Sequence, residues 1–215
     1  MAKGLIGICV GRTTTKRAFL THEGEITQKW NIPTDSSDDG AHIVPNIIKS
    51  LKETISKSGY TTNSFIGIGM GTPGAVDIEN GTVINAFNLN WTKTQHVRDQ
   101  IQSALGLPFV LENDANVAAL GEFWKGAGEK DTDVIFVTLG TGVGGGVIAG
   151  GHLLHGVNGG AGEIGHVCVQ PTGYLCTCGK RGCLDRYASA TGIVHVAKAM
   201  PADFTGSSPF HTLFA

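Results

Sequence analysis

Hydrophobic residues enter this chain in short bursts separated by polar, glycine-bearing joints. Gly4 to Val10 is an apolar run of strand length, and Gly11-Arg12-Thr13-Thr14-Thr15 turns the chain after it. Arg17 to Thr21 and Glu25 to Ile32 predict two further strands joined at His22-Glu23-Gly24, and hence a β-meander. From Asp38 to Ser58 the period changes. Ile43, Val44, Ile47, Ile48, Leu51 and Ile55 fall on one face of a helix, with Ser36, Asp38 and Asp39 as candidate caps and Pro45 arguing for a boundary nearby. Phe65 to Met70 predicts a strand ending in Gly71-Thr72-Pro73-Gly74. A helix around Thr94 to Leu105 and a strand at Phe109 to Glu112 follow, and Asn113-Asp114 opens a helix through Trp124. Val134 to Leu139, the run Gly140 to Gly146 and Val147 to Ala149 predict a second strand–turn–strand unit, and a last helix covers about Ser189 to Met200. Alternation of strands and helices gives an α/β class.

The strand, Gly/Thr turn and strand near residues 5 to 20 are echoed near 134 to 150. Two related lobes around one ligand follow from that echo, divided as residues 1–115 and 116–215. Backbone N–H groups at such turns bind anions, and glycine lets them approach. Neither turn ends in the Gly-Lys-Ser/Thr of a Walker loop. The tail from Pro201 to Ala215 carries Phe204, Phe210 and Leu213 without clear periodicity, so the second lobe reads as unfinished.

A chain of 215 residues can bury a real core. Its net charge of −2 gives no electrostatic case for nucleic acid, and no apolar run reaches the roughly 18 residues of a membrane helix. No signal-peptide pattern precedes the first strand, so a reducing, cytoplasmic compartment is expected. Glycine is the compositional outlier at 32 residues, clustered after apolar strands where backbone approaches ligands.

The densest chemistry is His166-Val167-Cys168 followed by Cys176-Thr177-Cys178-Gly179-Lys180-Arg181-Gly182-Cys183. Zinc takes four N/S ligands in a tetrahedron, and His166, Cys176, Cys178 and Cys183 complete that shell without Cys168. The competing reading is free buried thiols beside a surface histidine. Glu163, in Gly162-Glu163-Ile164-Gly165-His166, can accept hydrogen bonds from sugar hydroxyls. His166 can hold zinc through one ring nitrogen and address a hydroxyl with the other. Asp114 stands where a strand gives way to a helix. It is either a base facing an α/β crevice or, with Asn113, a helix cap. His152 and His155 are read as loop residues without a role, and Phe87, Trp91 and Trp124 as core or rim.

The segments Phe65–Gly74, Glu112-Asn113-Asp114-Ala115-Asn116, Leu139–Gly146 and Gly162–His166 with the Cys-x-Cys-Gly-x-x-Gly-Cys knuckle together resemble the ROK family of repressors, open-reading-frame proteins and sugar kinases. The closest look is to its glucokinases, and the resemblance runs from residue 4 to about 200. It implies a two-lobe, actin-like ATPase (ribonuclease H-like) fold with the active site between lobes, and transfer of a phosphoryl group from ATP to the 6-hydroxyl of glucose. It implies Asp114 as general base. Asn113, Glu163 and His166 match sugar ligands, with Asp185 where the family has glutamate and Gly74 as a backbone contact. Gly11 and Thr13 match the first phosphate loop and Gly140, Thr141 and Gly142 the second, for ATP with Mg2+. His166, Cys176, Cys178 and Cys183 match a structural Zn2+ site. A homodimer is common in such proteins. Kinases for N-acetylmannosamine or fructose share these motifs.

Several positions depart from the pattern. The first loop normally reads Asp-x-Gly-Gly-Thr, but here it reads Cys9-Val10-Gly11-Arg12-Thr13. The carboxylate that helps hold magnesium becomes a thiol, and Arg12 is expected to obstruct the turn. Asp185 is one methylene shorter than glutamate. Family kinases run past the length of this chain, so a truncated, impaired glucokinase or a non-catalytic sugar-binding remnant is expected. A sugar-responsive regulator needs a DNA-binding segment ahead of the first strand, where only Met1-Ala2-Lys3 stand.

Overall fold

The computed structural model describes residues 3–157 and 159–199. Met200 and the tail 201–215 lie outside them, together with the helix end and the aperiodic segment expected there. The chain divides into two compact units, one running to Phe136 with Gly146–Gly162, the other Val137–Gly145 with the residues from Glu163 onward.

The first unit is built on a five-stranded sheet of order β3-β2-β1-β4-β7. Strands β1 (Gly4–Val10), β2 (Thr14–Leu20) and β3 (Ile26–Pro33) form the expected antiparallel meander. β4 (Phe65–Thr72) pairs parallel with β1, and β7 (Phe109–Asn113) parallel with β4. A hairpin of β5 (Ala75–Asp77) and β6 (Thr82–Ile84), too short to show a period in sequence, follows β4. Parallel neighbours need crossovers, and helices α1 (Ile43–Lys57) and α2 (Val97–Leu105) lie in them. Ile43, Ile47, Leu51 and Ile55 of α1 and Val97, Ile101 and Leu105 of α2 are buried at four-residue intervals. They join Ile6, Ile8, Val10, Ile68, Met70, Phe109 and Leu111 from alternate strand positions in one core. Trp91 closes it, fully buried, with its indole N–H donated to the Gly40 carbonyl at 3.1 Å. Gly40 sits at φ +72°, and a Cβ there would run into Trp91.

The first helix starts later than the sequence suggests. Asp38 and Asp39 adopt left-handed φ of 49° and 57°, and the long helix begins at Ile43. Pro45 explains this. It lacks an N–H and its ring clashes with the carbonyl four residues back, so it is tolerated only in a helix's first turn. Asp38 takes a different job, accepting from His42 at 2.9 Å.

Helix α3 (Asp114–Lys125) follows β7 without a loop. β8 (Val134–Leu139), β9 (Val143–Ala149) and β10 (His152–Leu153) form a three-stranded sheet of order β10-β9-β8. His152 is thus a strand residue, opposite Ala149, rather than a loop residue. In the second unit a short helix α4 (Asp185–Ala188) leads into α5 (Ala190–Ala199).

One core position works against folding. Arg17 lies on the inner face of β2, is 1% exposed, and none of its three guanidinium nitrogens has a hydrogen-bond partner among the described residues. Among the described residues its electrostatic relief is the Trp30 ring, 5.4 Å from the guanidinium carbon. Burial pushes its pKa down to about 10. The folded chain therefore holds this proton less tightly than the unfolded one, and the charge opposes folding at every pH below that value. Arg17→Met keeps the volume and removes the charge. It should raise the urea midpoint at neutral pH by the equivalent of about 1–4 kcal/mol, the range found when buried charge gives way to apolar packing. A lower midpoint would show that Arg17 has a stabilising partner.

Candidate active site and metal centre

Because β1, β4 and β7 run parallel, their C-terminal ends meet at one edge of the sheet, where ligands of open α/β sheets bind. The register aligns Cys9 with Gly71 and Gly71 with Glu112, and the next row pairs Thr72 with Asn113. Asp114 is the first residue past that edge. Gly71 lets α3 come close, since a Cβ there would sit 3.3 Å from Val117 Cγ2 on that helix.

Of the two sequence readings of Asn113-Asp114, the helix cap is formed. Asn113 is the N-cap of α3, its Oδ1 accepting from the N–H groups of Ala115 (2.9 Å) and Asn116 (3.3 Å). Asp114 also accepts from Ala115 at 2.9 Å but keeps an exposed edge. Crowding of its carboxylate by protein raises its pKa, against the opposing pull of backbone hydrogen bonds. Burial first, then the Asp114 charge, raise the pKa of the Cys9 thiol. Position 9 is therefore a neutral sulfur. Magnesium prefers oxygen and soft sulfur does not replace it, so Cys9 is no ligand for Mg2+.

Glu112 was passed over in sequence, and it ties this edge together. Its Oε1 accepts from the Asn113 N–H (2.8 Å) and from Asn116 Nδ2 (3.0 Å), and its Oε2 meets His155 Nε2 at 2.6 Å. His155, read from sequence as having no role, thus anchors the loop after β10 to the end of β7. Only the position of Glu112 inside the Glu-Asn-Asp-Ala-Asn segment hinted at this.

The first glycine turn closes by a hydrogen bond from the Gly11 N–H to Thr14 O at 3.1 Å, while Thr34 Oγ1 holds the Gly11 carbonyl at 2.8 Å. Arg12 does not obstruct the turn. Its φ is not positive and its side chain is exposed, so the backbone never needs the freedom of glycine there. Thr13 is exposed beside it. Gly74 does need that freedom, at φ +97° with Ala86 where a Cβ would point.

In the second unit, one ring nitrogen of His166 and the sulfurs of Cys176, Cys178 and Cys183 all lie within 4.8 Å of one another. Cys176 Sγ is 3.6 Å from His166 Nδ1, and Cys178 Sγ is 3.6 Å from Cys183 Sγ. Ligand atoms on a tetrahedron with Zn–S bonds of about 2.3 Å stand about 3.8 Å apart. The spacing, the softness of three sulfurs and one imidazole, and the closed shell therefore fit zinc. The knuckle is shaped by backbone hydrogen bonds, Cys176 N–H to Lys180 O (2.7 Å) and Gly179 N–H to Cys176 O (3.0 Å). Gly182, at φ +72°, packs against the Gln170 carbonyl. Cys168 stays outside, exposed, with its sulfur on the Arg181 carbonyl. His166 turns its other nitrogen, Nε2, toward Glu163 Oε2 at 3.9 Å.

The second glycine turn belongs to the same unit. The Gly140 N–H reaches Gly142 O at 2.9 Å. Thr141 is exposed, and among the described residues neither the Thr141 nor the Gly142 N–H donates a hydrogen bond. Such free amides suit an anion. Asp185 accepts from the Val143 N–H at 2.8 Å.

The architecture is that of the actin-like ATPases, a mixed α/β fold. The sequence profile of the ROK family matches residues 5–212, and the chain belongs to that family. A glucokinase of Halalkalibacterium halodurans is 49% identical over 193 residues, 89% of this chain and 58% of that protein. A xylose repressor of Caldicellulosiruptor bescii is 32% identical over 196 residues, 91% of this chain and 49% of that one. Among solved structures, a ROK family glucokinase from Streptomyces griseus in complex with glucose and AMPPNP superposes with a TM-score of 0.75 at 37% identity, over 91% of this chain and 60% of that chain. The chain thus spans between about half and three-fifths of the length of these relatives.

The geometry of the knuckle leads to a direct test. Protein prepared with zinc should carry one equivalent, measured by elemental analysis. Cys178→Ser should weaken zinc binding by more than the roughly 10–100-fold that loss of an outer-shell partner costs. Undiminished zinc in that variant would remove Cys178 from the ligand set.

Proposed function

We propose that this chain carries the sugar-phosphorylating machinery of a ROK kinase, with glucose as the favoured acceptor and N-acetylmannosamine or fructose as the nearest alternatives. The observation that carries the reading is the position of Asp114, an acidic side chain with raised proton affinity, at the C-terminal edge of three parallel strands. The proposed lobes remain residues 1–115 and 116–215.

In this reading Asn113, Glu163, His166, Asp185 and the backbone at Gly74 bind sugar hydroxyls. The 6-hydroxyl oxygen attacks the terminal phosphorus of ATP, the bond from that phosphorus to the bridging oxygen breaks, and ADP departs. Asp114 accepts the hydroxyl proton as the new P–O bond forms. The turns at Gly11 and Thr13 and at Gly140, Thr141 and Gly142 offer backbone to the phosphates. Zinc at His166, Cys176, Cys178 and Cys183 orders the segment that bears Glu163 and takes no part in the transfer. No step is assigned to magnesium at position 9, where the thiol does not suit it. Three thiols and an imidazole kept free for a metal fit a reducing, cytoplasmic setting. No described helix is long and apolar enough to cross a membrane. A homodimer is part of the proposal and bears on none of these steps.

Similarity to xylose repressors favours a second reading, a sugar sensor without catalysis. Hexose-dependent ADP release from Mg-ATP separates the two. Turnover is expected with glucose, and Asp114→Asn should lower it by at least about 100-fold, the low end for loss of a general base. The same base sets the pH profile. Desolvation raises the Asp114 pKa, so the acid limb of kcat/KM should fall at a higher pH than an ordinary carboxylate gives. Sugar binding by folded, zinc-loaded protein without turnover would establish the sensor reading instead.

A further inference from the structure

We infer that Asp185 is a positioning residue that couples the metal knuckle to the Gly140–Val143 turn, so that the metal's presence sets the shape of the proposed phosphate loop. The inference rests on the kinase reading only for what the turn binds. Asp185 is the second residue after the ligand Cys183, and the main chain between them is held at both ends. The Leu184 N–H bonds Val167 O at 2.9 Å, and the Arg186 N–H bonds Cys183 O at 2.9 Å. From there Asp185 Oδ1 takes the Val143 N–H at 2.8 Å.

The same segment braces the turn at two more places. The Ala190 N–H reaches Gly140 O at 2.9 Å, and Thr191 Oγ1 donates to Thr141 O at 2.6 Å. Ser189, fully buried, stitches the brace together by donating to Asp185 O at 2.6 Å and accepting from the Gly192 N–H at 2.9 Å. The histidine side of the knuckle touches the turn as well. Gly165, next to His166, lies so close to the Val143 carbonyl that a Cβ would overlap it. The turn is therefore gripped at Gly140, Thr141 and Val143, while the N–H groups of Thr141 and Gly142 stay free to meet an anion.

A Cβ built on Gly142 would stand 2.8 Å from Asp185 Oδ1, so glycine at 142 leaves the carboxylate its place beside the turn. Aspartate at position 185 fits the distance to the Val143 amide. The carboxylate proposed for sugar thus also acts on the phosphate turn, through its backbone.

Amide hydrogen exchange on the full 215-residue, zinc-loaded chain tests the coupling, with zinc stoichiometry measured on each sample. Asp185→Ala should speed exchange in 140–145 by about tenfold, the scale of one lost charge-assisted hydrogen bond, while one equivalent of zinc remains. Asp185→Asn retains the Oδ1 acceptor and should restore the wild-type rate to within about twofold. Removing zinc from the wild type with a chelator should speed the same segment. Unchanged exchange in 140–145 for Asp185→Ala or after chelation would overturn the coupling. So would an even acceleration along the chain with loss of zinc in both variants, which would make Asp185 a support of the knuckle alone. These rates are read whether or not the chain phosphorylates a sugar, so failure of the kinase reading shows in the turnover assay and leaves this test intact.

Discussion

Parallel pairing of β1, β4 and β7 is the constraint from which the first unit's chemistry follows. Parallel strands all deliver their last residues to one edge, and the register here puts Cys9, Gly71 and Glu112 in one row and Thr72 and Asn113 in the next. Slipping that register by one residue would turn Leu111 out of the core and Glu112 into it. The hydrophobic alternation of β7, with Phe109 and Leu111 buried, therefore fixes where Asp114 emerges. Packing sets the register, and the register sets the site.

The junction from β7 to α3 then has to satisfy the helix's first N–H groups without disturbing that edge. Asn113 does so with a single oxygen. Glu112 fixes this junction by accepting from the N–H of Asn113, the residue after it, and from the Asn116 amide while meeting His155. A cap and a candidate base are therefore not competing descriptions of Asn113-Asp114. Neighbouring residues carry the cap and the proposed base, and the cap fixes the backbone from which Asp114 projects.

Much of this was readable in advance, because the signals were local. The meander, the buried stripe of the first long helix and the metal-ligand spacing depend on periodicity or on neighbours in sequence. The misses have a common cause in long-range partners. His155 gains its meaning from Glu112, 43 positions away, and the bond of Asp185 to Val143, 42 away, lay equally beyond local signals without bearing on its proposed sugar role. No spacing rule reports such pairs. The late start of α1 was a different error, since capping residues at Ser36, Asp38 and Asp39 were weighed above Pro45, whose ring decides the matter. Arg12 was misjudged because a glycine in a family pattern need not mark a positive φ.

The departures from the family pattern are not spread evenly, and their placement bears on function. Cys9 and Arg12 lie on or just past β1. They fall at one of the two turns proposed for phosphate. The residues proposed for the sugar and for proton transfer keep their chemistry, with Asp185 shortened by one methylene and turned onto the backbone of the second turn. On the proposed kinase reading, a change at this hairpin acts on the phosphate side, because a neutral thiol would supply no charge for a metal that neutralises phosphate.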